Sequence, residues 1–452
     1  MVLPSQTLTR PVAQGRPTAA RGLRADLLAG TLAVAVVLAA TGAIVWLHWY
    51  SEDRIFAWAP PLLGYFRAHI GWGSPVAVLL AVLVVARGPE LSARLSWRAL
   101  CWTGYAATVC WAFALALTET WQRGVAERLS GSNQYLWDLP RVTNIGDFLR
   151  GFAGHIVDFH PGSWMTQVSG HPPGALLVFV ALDRLGLSGS TWATVVCVLA
   201  GCVAAVAVPG TIRALGREDD ARAALPFLVL LPGALWFTSG DALFTGVAAV
   251  AMWLLAAGAM RRGWVLCGLS GVVLGGTLFL SYGLVLLAPI AVAVCVAARN
   301  WRAAVAAVAG VVPVMVAFAA AGFWWFTGYQ LVKVRYYQGV GFTRPYNYWV
   351  WADLACLVLC AGPVLAPALR RALTGPFAGI RPVAVLVLGA AVAIAAADVS
   401  GLSKAEVERI WLPFAVWLTA GAALLPVPSR RWWLAGQALT ALLVGHLVMT
   451  FW

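Results

Sequence analysis

Long apolar runs alternate with short polar segments from residue 25 to the end of the chain. A transmembrane helix needs roughly 17–25 consecutive, mainly apolar residues, and about thirteen runs reach or approach that length. They occupy residues 25–48, 73–87, 99–118, 188–212, 224–238, 242–260, 263–280, 284–298, 303–324, 350–369, 382–398, 409–427 and 434–452. The pattern predicts an all-α, polytopic bundle of transmembrane helices with about thirteen spans.

Arginine clusters lie in alternate loops of this predicted bundle. Cytoplasmic loops are enriched in Arg and Lys, so the clusters indicate orientation. They comprise Arg10, Arg16, Arg21 and Arg24; Arg87, Arg94 and Arg98; Arg213, Arg217 and Arg222; Arg261 and Arg262; Arg299 and Arg302; Arg370, Arg371 and Arg381; and Arg430 and Arg431. Residues 1–24 are therefore expected to form a cytoplasmic tail, and residues 25–452 a single transmembrane domain whose C-terminus lies outside.

One apolar segment, residues 174–186, is too short to span a bilayer. If it crossed, the arginines between 213 and 222 would move to the outer side, against the charge rule. We therefore expect an interfacial or re-entrant helix on the outer side. The preceding segment, residues 119–173, then becomes a long outer loop containing short juxtamembrane helices, and loops of that length are usually functional.

Composition supports a lipid environment. Hydrophobic residues make up 61% of the 452 positions and charged residues only 11%, whereas soluble domains carry roughly 25% charge. The net charge of +13 lies in the short loop clusters, so it predicts a bilayer partner and no nucleic acid. All eight cysteines lie within apolar runs without metal-ligand spacing. No metal site and no cofactor are predicted from these residues, and a divalent-metal requirement stays open.

Two aspartates of the long loop are candidates for a general base. Asp138 lies in YLWDLPRV and Asp147 in NIGDFL. A carboxylate near the membrane surface can deprotonate an acceptor hydroxyl if neighbouring groups keep it ionised. The alternative for each one taken alone is a solvated loop acid or a helix cap. Glu52 and Asp53, which follow the first predicted span, are rivals for this role.

A second outer segment mixes cations with aromatic residues. Lys333, Arg335 and Arg344 are interleaved with several tyrosines, including Tyr348. Arginine binds phosphate bidentately and aromatic faces stack on sugars, so the segment suits a lipid phosphate that carries a carbohydrate. The alternative is an ordinary aromatic belt with cations that reach the interface.

Four further polar residues are candidates for substrate binding. His171 opens the sequence HPPG, where two prolines precede the short apolar helix, and Asp241 lies at the turn of a helical hairpin. Glu406 and Arg409 form an i,i+3 pair at the start of a span. A structural role is the alternative for each. A charged residue at the rim of an apolar bundle is nevertheless a functional candidate, because burying it is costly.

The order of these features resembles the type C glycosyltransferase superfamily, in particular the branch that contains protein O-mannosyltransferases and lipid A aminoarabinose transferases. The matching features are the acidic loop 119–170, His171-Pro172-Pro173-Gly174, the short helix to Gly186, the span closed by Arg213, and Ser239-Gly240-Asp241. Residues 400–414, SGLSKAEVERIWLPF, resemble a segment of a set of actinobacterial membrane proteins. The chain departs from the family in lacking an Asp-Glu pair after the matching span.

The resemblance implies transfer of a sugar, such as mannose or arabinose, from a polyprenyl-phosphate donor to a cell-envelope glycan, lipid or protein. The reaction would take place at the outer face of the plasma membrane, with inversion at the sugar. It would place Asp138 or Asp147 as the base, Lys333, Arg335 and Arg344 at the phosphate, and His171 and Asp241 at the sugar. A flippase or transporter of lipid-linked sugars, which is not catalytic, is the alternative. An assembly subunit for cell-envelope enzymes is a third possibility.

Overall fold

The computed structural model of the protein describes residues 22–374 and 381–451 and is almost entirely helical. Of the predicted cytoplasmic tail, residues 1–24, the first 21 residues lie outside the described ranges. Arg10, Arg16 and Arg21 are among them. The described residues thus confirm the predicted all-α class, with one small addition. Two short strands, β1 (Gly64–Phe66) and β2 (Val448–Thr450), pair in an antiparallel ribbon.

The helices of the described ranges follow one another with short breaks. In chain order they are α1 (Leu23–Val45), α2 (Glu52–Ile55), α3 (Gly73–Arg94), α4 (Trp97–Ala116), α5 (Tyr135–Asp138), α6 (Ile145–Gly151), α7 (Thr166–Ser169), α8 (Pro173–Arg184), α9 (Ser190–Cys202), α10 (Ala204–Ala214), α11 (Glu218–Val229), α12 (Gly240–Arg261), α13 (Trp264–Leu278), α14 (Ala288–Ala298), α15 (Trp301–Ala320), α16 (Trp325–Gln338), α17 (Val340–Thr343), α18 (Tyr346–Ala361), α19 (Leu365–Thr374), α20 (Pro382–Ser400), α21 (Val407–Ile410), α22 (Leu412–Ala420) and α23 (Val427–Leu447). Single 3-10 or π turns lie at Gln122–Ala126, Leu139–Arg141, Phe152–His155, Pro232–Trp236, Tyr282–Leu287 and Gly421–Leu424.

Seven of these segments are long and apolar enough to cross a membrane: α1, α3, α4, the α9–α10 pair, α12, α15 and α20. The pair α18–α19 would make an eighth, although it is bent by 102°. Shorter apolar helices occupy Trp264–Leu278, Tyr282–Ala298 and Leu412–Leu424. The chain is therefore a helical membrane protein, and the number of thirteen spans stays a prediction.

The three runs that are short in sequence differ in structure. The run 73–87 continues as helix to Arg94, which brings α3 to a full spanning length. The run 224–238 is instead broken, because α11 ends at Val229 and a separate turn follows at Pro232–Trp236. Pro232 has no N–H to continue the helical hydrogen bonds. A similar turn, Tyr282–Leu287, precedes α14 in the third run.

One end of the bundle carries the long segments 117–172, 321–345 and 401–406, and we call it the loop face. The backbone N–H of Asp158 donates to Gln338 Oε1 at 2.8 Å, which joins the first segment to the second. The N–H of Lys404 donates to the Tyr336 hydroxyl at 3.1 Å, which joins the second to the third. The three segments therefore form one continuous layer over the helix ends.

The opposite end of the bundle, which we call the arginine face, carries short turns rich in arginine. Asp26 is fully buried there, and its carboxylate receives Arg370 and Arg371 at 2.5 Å each. This double ion pair fastens the start of α1 to α19. Arg222 pairs with Glu218 at 2.7 Å and donates to the carbonyl of Ser92, which fastens α11 to the end of α3.

Helix α8 agrees in length with the predicted non-spanning helix at 174–186. Its 12 residues rise only about 18 Å, well short of a hydrocarbon core of about 30 Å. Arg184 at its end donates to the carbonyls of Val142 and Thr143 within the long loop. Both ends of α8 therefore stay at the loop face.

The two ends of the bundle should be reached from opposite sides of the membrane. We predict that a cysteine replacing Ser132, exposed in the long loop, and one replacing Asp219, exposed at the arginine face, label with a membrane-impermeant maleimide from opposite sides. The native cysteines lie in apolar helices, so the wild-type protein in sealed vesicles serves as the blank. Labelling of both variants from one side would exclude this topology.

Candidate functional site

A chain of buried charges lies directly beneath the loop face. The Arg409 guanidinium donates to Asp241 Oδ2 and to Glu406 Oε2, each at 2.6 Å. All three side chains are buried or nearly so, with the Arg409 side chain 6% and the Asp241 side chain 7% exposed. This pairing confirms the predicted i,i+3 contact of Glu406 with Arg409. It also joins the start of α12 to α21, which are far apart in sequence.

The chain of charges continues through Arg344. Its guanidinium donates to Glu406 Oε1 at 3.1 Å and to the carbonyl oxygen of Lys404 at 2.8 Å. Lys404 in turn donates to the carbonyl oxygens of Gly341 and Arg344. Two cations therefore flank the one carboxylate of Glu406. Burial alone would raise the pKa of the Glu406 carboxyl, but Arg409 and Arg344 outweigh it and hold the pKa below its ordinary value.

The backbone at the centre of this network adopts a rare conformation. Ala405 and Glu406 both have left-handed φ angles, 68° and 62°. Such a conformation costs a non-glycine residue on the order of 1 kcal/mol. The turn persists because the carboxylate of Asp353 on α18 accepts the N–H of Ala405 at 3.0 Å, while both Glu406 oxygens accept from arginines. The turn sets the direction in which Glu406 and Arg409 project.

Asp241 is held at one oxygen only. Oδ2 accepts from Arg409, whereas no described residue donates to Oδ1. Asp241 lies in the first turn of α12 next to Gly240, where a Cβ atom would approach the Tyr135 ring to 3.1 Å. The carboxylate is thus anchored at Oδ2, while Oδ1 is the oxygen at which it could accept a proton from a group within hydrogen-bond reach.

His171 lies in the same region. Its Nδ1 is 2.8 Å from the carbonyl oxygen of Gln167, and a carbonyl can only accept, so Nδ1 carries the proton and Nε2 is left as an acceptor. The ring packs against Tyr135 and Phe244 at centroid distances of 5.4 and 5.6 Å. Burial lowers the pKa of His171, although the nearby Asp241 opposes the shift. The imidazole is therefore neutral at physiological pH.

Asp138 is buried inside the long loop with both oxygens engaged. Oδ1 accepts from Arg141 and Oδ2 from the N–H of Met165, each at 2.7 Å. The ion pair with Arg141 gives this buried carboxylate a cationic partner. Arg141 also lies over the Trp164 ring at 3.8 Å. These contacts favour a role in holding the loop together, and the assignment of Asp138 as base stays a prediction.

The other predicted residues lie at varied distances from this network. Asp147 is exposed at the start of α6 and pairs with Arg150 at 2.6 Å. Arg335 forms an ion pair with Asp158 and donates to Ser169 Oγ at 3.1 Å. Lys333 lies over the Tyr329 ring at 5.3 Å. The structure therefore joins Asp241, Arg344, Glu406 and Arg409 through direct contacts, but it brings neither Asp147 nor Lys333 into them.

Tyr348 supports the site from below. Its hydroxyl donates to the Ala40 carbonyl oxygen at 3.0 Å, which fixes α18 against α1. Its ring packs against Trp349 at 5.1 Å, and Trp349 in turn lies 5.8 Å from the Arg344 guanidinium. The contacts of Tyr348 are those of a positioning residue.

Three buried charged residues were not among the sequence-based candidates for the site. Lys404 and Asp353 hold the turn described above, and Glu408 is 1% exposed with no hydrogen-bond partner for either carboxylate oxygen among the described residues. Burial raises the pKa of Glu408 to about 7. For Lys404 and Glu408 the available signal was the density of charge in SKAEVER, directly before an apolar span. For Asp353 it was the position of a single acid within an apolar run.

Comparison with known proteins identifies no relative: no protein-family model, curated protein or solved structure matches this chain. Within residues 22–374 and 381–451, no three His, Cys, Asp or Glu side chains are grouped so that they could hold a metal ion.

Arg409 is expected to be essential for stability. We predict that Arg409→Gln lowers the free energy of unfolding by about 3–5 kcal/mol, because Asp241 and Glu406 would keep buried charges without their shared partner. Titration with SDS in mixed micelles measures this quantity. Arg150→Gln, which breaks the exposed pair with Asp147, is the matched control and should cost about 1 kcal/mol or less. Equal destabilisation of the two variants would contradict the network's importance.

Glu408 should make stability depend on pH. Its pKa is about 7 in the fold against an ordinary 4.5, so folding favours the protonated carboxyl. Its contribution is full below pH 4.5 and declines as the pH rises through 7. We predict that Glu408→Gln stabilises the protein at pH 8, relative to pH 5, by on the order of 2–3 kcal/mol, measured by SDS unfolding. Glu127→Gln, at an exposed position, is the control. A pH-independent difference between Glu408→Gln and wild type would refute this assignment.

Proposed function

We propose that this protein is a type C glycosyltransferase, and that it moves a sugar from a polyprenyl-phosphate donor to a cell-envelope glycan, lipid or protein. The observation that carries the proposal is the carboxylate of Asp241. Arg409 holds one of its oxygens, no described residue binds the other, and neutral His171 lies nearby beneath the long loop. A buried constellation of acid, arginine and histidine is costly to build into an apolar bundle, and such groups cluster at functional sites.

The reaction would proceed in one displacement. The acceptor hydroxyl attacks the anomeric carbon, its proton passes to the base, and the bond between that carbon and the phosphate oxygen breaks with inversion. The phosphate leaves attached to its lipid. The geometry favours Asp241 as the base, with Asp138 and Asp147 as alternatives in the loop. His171 would orient a sugar hydroxyl, which can donate to its Nε2.

The cations of the site suit the leaving phosphate. Arg344 is the central one, because it lies between Glu406 and the aromatic rings of Trp349 and Phe56 at 5.8 and 6.0 Å. Arg335 and Lys333 on α16 extend the positive charge along the loop face. Preorganised donors of this kind stabilise charge that develops in a transition state. They would act on the lipid phosphate while the exposed ring of Phe56 packs against the sugar.

We further propose that the chain crosses the plasma membrane thirteen times, with the arginine face in the cytoplasm and the loop face outside. The shorter apolar helices and the broken segments supply the crossings beyond the seven long helices. Consecutive segments alternate between the two faces. For example, Ser190 at the start of α9 accepts from Leu129 in the long loop, while Arg213 near the end of α10 pairs with Glu218 at the arginine face.

Transport of a lipid-linked sugar is the second candidate function, and a specific observation favours it. Glu408 and Asp353 are buried in the bundle, and Glu408 has no partner for its carboxylate among the described residues. Buried acids of this kind can relay protons in transporters. We rank this candidate second because the Asp241, Glu406, Arg409 and Arg344 cluster lies at one face, beneath a loop that can cover a substrate.

The enzymatic hypothesis is tested by glycosyl transfer with the full-length protein in nanodiscs. The donors are polyprenyl-phosphate mannose, arabinose and aminoarabinose, each radiolabelled in the sugar, offered with an extracted cell-envelope fraction. We predict that Asp241→Asn lowers turnover by about 10²–10⁴-fold, because it cannot accept the proton, while donor binding is retained. Asp219→Asn at the arginine face is the matched control and should transfer at the wild-type rate.

Two further variants separate the candidate bases. Asp138→Asn and Asp147→Asn should retain transfer if Asp241 is the base. Loss of transfer in either of these folded variants, with activity kept in Asp241→Asn, moves the base into the loop. Absence of transfer from every donor, together with movement of a lipid-linked sugar across vesicles, would replace the enzyme by the transporter.

A further inference from the structure

A recess of about 530 Å³ opens at the arginine face, far in the fold from the charge network. It lies between two turns of similar sequence, Arg262-Gly263-Trp264 and Arg299-Asn300-Trp301. In each turn the arginine ends one helix in a left-handed conformation, with φ of 52° and 50°, and the tryptophan begins the next helix. Asn300 Nδ2 donates to the Ala259 carbonyl at 2.8 Å, which holds the turns together.

Close packing of α13 on α15 brings the two helix starts to the same place. A Cβ atom at Gly271 would lie 1.9 Å from the Ala307 carbonyl oxygen, and one at Gly310 would lie 2.1 Å from the Gly268 carbonyl oxygen. The glycines therefore allow backbone contact between the helices. Both helices begin at the arginine face, so both direct the positive ends of their dipoles toward the recess.

The recess carries positive charge without a described counter-charge. Arg262, Arg299 and Arg302 line it, and no Asp or Glu does. Across residues 22–374 and 381–451, no side-chain hydrogen bond or ion pair engages any of these three guanidinium groups. The residues before the two helices, Gly263 and Asn300, provide no side-chain cap to the first N–H groups. Guanidinium groups and free helix N–H groups are together the donors that bind phosphate.

The surroundings of the recess are apolar on the side of the bundle. Trp264 and Trp301 at its rim are 56% and 59% exposed, and Val265 and Val305 on the same two helices are 76% and 64% exposed. Exposed tryptophans at the start of an apolar helix are typical of the membrane interface. An anion bound here would have its polar group among the arginines and could lay acyl chains along α13 and α15.

We propose that this recess binds the phosphate headgroup of an anionic membrane lipid. Three cations and two helix N-termini match a phosphate group, and the adjoining apolar surface selects a lipid over a soluble phosphate. An excess of arginine in loops on one side is enough to orient a protein in the membrane. Orientation does not require that the arginines line a concave site between two matching turns. The site would be occupied from the leaflet opposite to the loop face, and it does not depend on the function proposed above.

The test compares two double variants of the full-length protein with equal loss of charge. Arg299→Gln/Arg302→Gln removes two recess cations, and Arg94→Gln/Arg98→Gln removes two exposed arginines at the same face outside it. Native mass spectrometry from detergent measures binding of dioctanoyl phosphatidylglycerol, dioctanoyl phosphatidylcholine and inorganic pyrophosphate. Thermal unfolding without added lipid verifies that both variants fold.

Wild type and the Arg94→Gln/Arg98→Gln variant should bind phosphatidylglycerol alike and in preference to phosphatidylcholine. The recess variant should bind it at least about tenfold more weakly, because two charge-assisted hydrogen-bond donors to the phosphate are removed. Equal weakening in both variants would overturn the proposal in favour of unspecific surface charge, and unchanged affinity in the recess variant would overturn it outright. Binding of pyrophosphate without binding of either lipid would overturn the lipid assignment and identify a soluble phosphate as the ligand.

Discussion

The loop face depends on the burial of Arg409. Its guanidinium satisfies two carboxylates, Asp241 at the start of α12 and Glu406 in the turn before α21. A charge removed from water is stable only when paired and hydrogen-bonded. The start of α12 and the turn before α21 must therefore lie next to each other in the fold. Because Glu406 also receives Arg344, the constraint extends to the start of α18. Arg409 and Arg344 thereby link α12, α18 and α21 through buried ion pairs.

The long loop is ordered by the same principle. Asp138 holds Arg141 and the backbone of Met165, and Arg335 reaches Asp158 and Ser169 from α16. These contacts hold the loop in place. His171 follows the loop directly in the sequence, so the loop also positions His171. The loop is thus ordered by its own ion pairs. The residues beneath it are not needed to hold it in place and are available for a reaction.

The sequence allowed the membrane class, the long loop and the short helix α8 to be predicted, because span length and the position of arginines depend on local composition. It allowed Glu406–Arg409 to be predicted, because the contact lies within one helical turn. It could not reveal that Arg409 pairs with Asp241, since that contact joins residues 168 positions apart. Nor could it show that Asp138 would engage both oxygens within its own loop. The break at Pro232 follows from a residue that is visible in the sequence, whereas the turn at Tyr282–Leu287 overlaps the start of an apolar run whose composition does not indicate it.

The two faces of the bundle use arginine in opposite ways. At the loop face, Arg335, Arg344 and Arg409 each meet a carboxylate, so the net charge is low and the fields are directed between fixed partners. Such paired charges suit a reaction, because they are already held in position and can stabilise the charge that develops when a proton is transferred or a phosphate leaves. At the recess of the arginine face, the cations meet no carboxylate among the described residues. An uncompensated field of that kind attracts a ligand that brings its own negative charge. The division therefore places the candidate chemistry and the candidate anchoring of lipid at opposite ends of one molecule, where neither perturbs the charge balance of the other.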